Sequence, residues 1–294
     1  LYTLAGALAL CLILAACTAG SINIPPVASP ADGQRLPGKV VWRDLIADSP
    51  QATMRFYGDL FGWEFEPLGA GINYTLIRHR GRPIGGMVDQ NQLPTRADVS
   101  QWVVVMSVED IDSAASQVTA GGGQVLTPPT SLGDRGRIAV VTDPQGAVLS
   151  LLQTRDGDPA DSAVESRPGD FLWDELWTSD PDSARRFLQG LAPFRSEDMT
   201  LGSQEMPVDY RLLTTGDRPR AGIRPLPDPA ISPTWVSFLQ VADEAALDDI
   251  LARVEALGGR VLVPAMARPR GGKVAIVADP SGAGIGLQTW SDKE

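Results

Sequence analysis

Histidine and cysteine are almost missing from this chain: one histidine, His79, and two cysteines, Cys11 and Cys17, in 294 residues. Both cysteines stand in the first seventeen positions, so the rest has no disulfide framework and no thiolate for metal binding or nucleophilic attack. Zinc sites built from several His or Cys ligands are excluded, and a Ser-His-Asp triad would have to use His79. No Lys/Arg cluster interrupts the scattered acids that give a net charge of −11, so nothing tracks a phosphate backbone and nucleic acid is not an expected partner. With 43% hydrophobic and 21% charged residues, the chain can bury a full core, and its length suggests two domains.

The one long apolar run is at the start. Leu1 to Ala16 is too short to span a bilayer comfortably and ends in small residues, the layout of an export signal. Leu14-Ala15-Ala16-Cys17 resembles the bacterial lipobox, which implies a signal peptide over 1–16, lipidation of Cys17 and exposure at the cell envelope through an N-terminal lipid anchor in the membrane. Each buried CH₂ of an acyl chain contributes ~0.8 kcal/mol, so several chains on one cysteine give durable attachment. Thr18 after the cysteine, in place of Asp, resembles the pattern of outer-membrane lipoproteins, which places the domain on the periplasmic face in a Gram-negative source. The Pro-, Ala-, Ser- and Gly-rich stretch that completes 17–38 has little to bury, and a flexible tether of that length spans on the order of 25 Å.

The remainder repeats itself. Val41-Trp42-Arg43-Asp44-Leu45 returns as Leu172-Trp173-Asp174-Glu175-Leu176, each followed by a helical pattern, Ser49 to Leu60 and Asp180 to Leu191. Tyr74 to Val88 matches Tyr210 to Arg224 and reads as a β-hairpin turning near Gly81 or Asp217. Strands are expected at Trp102 to Val108 and Trp235 to Val241, then helices at Ile111 to Ala120 and Glu244 to Leu257. Gly122-Gly123 to Asp143-Pro144 then aligns without a gap to Gly258-Gly259 to Asp279-Pro280. Each half therefore holds two strand-helix units, with a polar linker between the halves.

The phrases Phe56-Tyr57-Gly58-Asp59-Leu60-Phe61-Gly62-Trp63, Gly122-Gly123 and Asp143-Pro144-Gln145-Gly146, in that order, resemble the vicinal oxygen chelate superfamily, which includes glyoxalase I, bleomycin-resistance proteins and extradiol dioxygenases. The resemblance implies an α+β fold of tandem glyoxalase-like domains, 39–155 and 169–290 with a linker at 156–168. Each domain would be two paired βαβββ modules whose curved mixed sheets surround a cavity. Active members hold a divalent metal on cavity-facing strands with His and Glu. The positions that match here carry Trp42 and Trp173, Val103 and Val236, and Ser150 and Gly286, so no metal, cofactor or catalytic residue is expected. His79, beside a turn in Arg78-His79-Arg80, is expected to be solvated.

Period-two alternation puts Trp42, Asp44 and Ile46 on one strand face and Trp173, Glu175 and Trp177 on the equivalent face of the other copy. Rings supply stacking area, an acid supplies orientation, and Tyr74 and Tyr210 could add phenolic donors. Trp42, Asp44, Tyr74, Trp173, Glu175, Trp177 and Tyr210 are thus candidates for holding a small apolar or aromatic molecule. The alternative is that Trp42 and Trp173 fill a closed core and that Asp44 and Glu175 cap loops or pair with arginine. Two other functions stay open: an enzyme using Asp44 or Glu175 as base or lone metal ligand, and a structural or interaction module of the envelope.

Overall fold

The computed structural model describes residues 22–28, 32–69, 71–161, 166–202, 207–268 and 271–289. Cys17 and the signal-like segment lie outside them. Among the described residues no helix is long and apolar enough to cross a membrane.

Four βαβββ modules follow one another. The first is β1 (Val40–Ala47), α1 (Pro50–Phe61), β2 (Glu64–Pro67), β3 (Thr75–His79) and β4 (Arg82–Asp89); the second is β5 (Gln101–Ser107), α2 (Ile111–Ala120), β6 (Gln124–Ser131), β7 (Gly136–Thr142) and β8 (Val148–Thr154). The third is β9 (Phe171–Thr178), α3 (Pro181–Leu191), β10 (Arg195–Gly202), β11 (Pro207–Thr215) and β12 (Arg218–Pro225). The fourth is β13 (Thr234–Val241), α4 (Glu244–Val254), β14 (Arg260–Ala267), β15 (Lys273–Ala278) and β16 (Gly284–Thr289). Each half forms one 8-stranded mixed sheet, ordered β2-β3-β4-β1-β5-β8-β7-β6 and β10-β11-β12-β9-β13-β16-β15-β14. The expected helices and inner strands are all present. The strands that sequence pattern under-reads are the outermost ones, β2, β6, β10 and β14, which carry charges or prolines inside the run.

Local chemistry sets the boundaries. Asp110, Asp180 and Asp243 cap α2, α3 and α4, each carboxylate accepting the backbone N–H three residues on at 2.7, 2.9 and 2.8 Å. In the two Asp-Pro-x-Gly turns the acid closes the loop: Asp143 accepts from the amides of Gln145 and Ala147, and Asp279 from those of Ser281 and Ala283.

The two halves are not independent globules. One core cluster joins α2 to α3 with Val104 and Met106 of β5 and Ile223 of β12. A second joins α1 to α4 with Leu45 of β1 and Leu287 of β16. The helices thus lie between the sheets, and each cluster mixes modules of different halves. The Gly-Gly pairs serve this packing. Gly122 and Gly258 take positive φ, 86° and 83°, to end the helical turn. A Cβ on Gly123 would fall 2.9 Å from the Phe187 ring, and one on Gly259 would fall 2.5 Å from the Phe56 ring. Phe56 and Phe187 hold the same position in the repeated helix, so each half's glycine receives the other half's ring. At the centre Arg43 forms a two-pronged ion pair with Asp174, which also accepts from the Ser237 hydroxyl at 2.6 Å.

Two expectations are corrected here. His79 is not solvated: it is 4% exposed, and its Nδ1 lies 2.8 Å from Asp170, because the β3–β4 turn packs under Gly169 at the start of the second half. The described part of 17–38 is no free tether. Ile24 and Val27 are buried against the first half's sheet, while Gly33, Leu36 and Gly38 donate backbone bonds to Asp156, Asp158 and Ser107. The described start of the polar linker packs down too: Asp158 is buried and Asp161 pairs with Arg220 and Lys39.

Candidate functional site

With the helices between the sheets, the candidate residues lie on the sheet faces opposite those helices, and Trp173 also borders the cleft between the halves. In the first half the β1 register sets Asp44 beside Gly86 of β4 and Val103 of β5. The Tyr74 ring reaches over the strand: its hydroxyl donates to the Asp44 carboxylate at 2.5 Å and accepts from Trp42 Nε1 at 2.8 Å and from Arg135 Nη1 at 2.8 Å. The Arg135 guanidinium also stacks 4.3 Å from the centre of the Trp42 ring. Gly86 makes this possible, because a Cβ there would stand 2.0 Å from the Tyr74 hydroxyl.

The second half repeats the arrangement with different details. Glu175 pairs in register with Gly222 and Val236. Trp173 Nε1 donates to the Tyr210 hydroxyl at 2.7 Å, and Trp177 Nε1 donates to Glu175 at 3.0 Å. Tyr210 also bonds to Glu175, and a Cβ on Gly222 would stand 1.8 Å from its hydroxyl. Here Arg224 supplies the cation, 5.2 Å from the Trp177 ring centre. Trp177, Val236, Phe238 and Ile276 form a small apolar cluster on this face, with Trp173 half-buried at its side.

Burial raises the pKa of Asp44, and Arg135, Tyr74 and Trp42 oppose that rise without cancelling it. Glu175 is raised for the same first reason, opposed by Trp177, Arg224 and Tyr210. Burial also pushes both tyrosine hydroxyls up, so they stay protonated donors. Each site thus presents a carboxyl group held by a neutral phenol, beside a tryptophan wall and an arginine.

All seven candidate residues fall into these two clusters. Sequence reasoning missed Arg135 and Arg224 because the repeat hides them: Arg135 aligns with Gly271 and Arg224 with Val88. In the first half the face is largely closed. Residues 22–28 cross it, and a cavity of about 50 Å³ remains, bounded by Ile24, Asp44, Ile46, Tyr74, Val103 and Ser150. A larger cleft of about 680 Å³ opens between the halves, but most of its charges already face each other as Arg43–Asp174, Arg82–Asp170 and Arg220–Asp161.

Comparison with known proteins agrees with this fold. A family profile, Glyoxalase/Bleomycin resistance protein/Dioxygenase superfamily, matches residues 39–151. "Putative glyoxylase CFP32" of Mycobacterium tuberculosis (strain CDC 1551 / Oshkosh) is 30% identical over 246 residues, covering 82% of this chain and 91% of that one. "Anthracycline biosynthesis protein DnrV" of Streptomyces peucetius is 30% identical over 271 residues, covering 85% and 93%. Among solved structures, the Mn(II)-bound glyoxalase from Novosphingobium aromaticivorans superposes with a TM-score of 0.58 at 16% identity, covering 86% of this chain and 82% of that one. The 2,2',3-trihydroxybiphenyl 1,2-dioxygenase of Sphingomonas wittichii strain RW1 gives 0.57 at 17%, covering 88% and 91%. The chain belongs to the glyoxalase/bleomycin resistance/dioxygenase superfamily, as a member with two tandem glyoxalase-like domains.

The Novosphingobium glyoxalase is bound to Mn(II), a divalent metal. Among the described residues no three His, Cys, Asp or Glu side chains come together. Asp44 has Gly86 and Val103 as strand partners, and Glu175 has Gly222 and Val236. A hard cation needs several oxygen or nitrogen ligands, and one carboxylate already engaged by tyrosine does not fit that need.

Proposed function

We propose that this glyoxalase-like protein binds a small apolar or aromatic molecule without a metal, and that lipidated Cys17 anchors it to the cell envelope. The carrying observation is the repeated cluster of tryptophan, tyrosine, carboxyl and arginine on the outward sheet faces, where the described residues bring no three metal donors together. Tryptophan faces give stacking area, and the acid and phenol orient a polar substituent. Similarity to a protein named for anthracycline biosynthesis supports a fused-ring ligand. In the second half, half-buried Trp173 gives such a ligand a surface to meet.

The test is tryptophan-fluorescence quenching of the full chain, titrated with an anthracycline and with 8-anilinonaphthalene-1-sulfonate. Saturable quenching is expected, weakened at least tenfold by Trp173→Ala. Absence of saturable binding to either compound, or stoichiometric metal in protein purified without chelator, overturns the proposal. The anchor is tested by labelling with a radioactive fatty acid, which Cys17→Ser should abolish while moving the protein to the soluble fraction.

A further inference from the structure

Residues 22–28 lie outside all four modules, yet they occupy the face where the first half would receive a ligand. Ile24 is 4% exposed and Val27 8%, both in one cluster with Trp42, Tyr74, Leu126 and Val140. Ile24 also lines the remaining cavity of about 50 Å³, together with Asp44 and Ser150. The polar contacts of the segment gather at one place: Ile24 N–H donates to the Leu132 carbonyl, Asn23 bonds to Asp134, and the Pro25 carbonyl accepts from Arg135 Nε at 2.9 Å.

Arg135 makes this contact informative. It is 3% exposed, its Nη1 serves Tyr74, and its Nη2 is buried without a hydrogen-bond partner. A buried guanidinium with a spare donor, beside a tryptophan ring and next to a borrowed carbonyl, is built for an acceptor oxygen. The fold itself does not require the segment, because the second half forms the same sheet and the same Trp–Tyr–carboxyl cluster without an equivalent among the described residues.

We infer that residues 22–28 act as a displaceable stand-in for the ligand of the first half. That ligand is a small apolar molecule bearing an acceptor oxygen, which replaces the Ile24 side chain and takes the Pro25 carbonyl's place on Arg135. This inference rests on the ligand-binding proposal and adds to it a named site, a ligand class and a built-in competitor. A competitor that occupies the site most of the time lowers apparent affinity by the fraction of open molecules, so weakening it raises affinity without touching the site.

The experiment compares the full chain with its Ile24→Ala/Val27→Ala variant, using 8-anilinonaphthalene-1-sulfonate as an aromatic probe with acceptor oxygens. The variant should bind at least about tenfold tighter while keeping a cooperative thermal transition, and adding Arg135→Met should remove the gain. Equal affinity in both proteins overturns the stand-in; if Trp173→Ala then lowers that shared affinity, the ligand-binding proposal survives in the second half. Binding by neither overturns both. Should the variant lose its cooperative transition, hydrogen exchange in the unmutated chain decides. Saturating probe should speed exchange at the Ile24 amide, and unchanged or slower exchange overturns the inference.

Discussion

Gly86→Ala isolates the geometry of the first cluster. The new Cβ would lie 2.0 Å from the Tyr74 hydroxyl, 2.2 Å from Cζ and 2.6 Å from Asp44 Oδ1, so the ring must leave. Gly86 does not sit at positive φ, so alanine meets no backbone penalty, and the whole cost falls on the ring and its partners. Tyr74 would lose its bonds to Asp44, Trp42 and Arg135. Forced repacking costs about 1–3 kcal/mol. Buried groups left unpaired add about 1–3 kcal/mol each, so a destabilisation of about 3–6 kcal/mol is expected. Urea unfolding measures it. The decisive control is Tyr74→Ala: with the ring removed, Gly86→Ala should cost far less, the remainder coming from the contact with Asp44 Oδ1, giving a coupling energy above about 2 kcal/mol. A Gly86→Ala cost below about 1 kcal/mol, or additive effects in the double variant, would refute the placement of the ring.

Two further outcomes follow from the junction of the halves. Asp174→Ala removes the buried partner of half-buried Arg43 and should destabilise by about 1–3 kcal/mol in urea unfolding, whereas replacing both partners by apolar residues of similar size should cost less. Burial raises Asp279 to about 6, with nearby Asp48 adding to the rise. The folded state therefore holds that proton more tightly than the unfolded chain, and stability should increase as pH falls from about 7 towards 5. Asp44, Asp143 and Glu175 are raised too and act in the same sense, while Asp161, lowered to about 2, opposes only in more acid solution. Thermal unfolding across that range should show the gain, and Asp279→Asn should reduce it; a midpoint that falls steadily from pH 7 to 5 contradicts the sign.

The repeat carried most of the fold because it compares long stretches at once: helix periods, the Asp-Pro-x-Gly turns and the Gly-Gly pairs recur together. Edge strands escaped because charges and prolines interrupt them, Glu66-Pro67 in β2, Pro128-Pro129 in β6, Glu197-Asp198 in β10 and Pro264 in β14, and proline inside a run argues against a strand. That the inner candidate residues share a face was legible from alternation on β1 and β9, where neighbours two apart point the same way. Their cations were not, since Arg135 and Arg224 come from different strands and loops in the two halves. His79 was misjudged because a turn is exposed only when nothing packs on it, and here Gly169 does. The residues before β1 were misjudged likewise: small and proline-rich composition says little about whether two aliphatic side chains, Ile24 and Val27, find a groove.

The exchange of Phe56 and Phe187 has a consequence for what counts as a folding unit. Sequence divides the chain at the linker near residue 160, but the cores pair the first module with the fourth and the second with the third. Severing that linker would release no free half; it would leave a two-chain complex held by the same helices. Either half alone would expose its helical face to water and should be found aggregated or paired with another copy of itself. The peptide between the halves sets stoichiometry and local concentration, and the interlocked helices set the architecture.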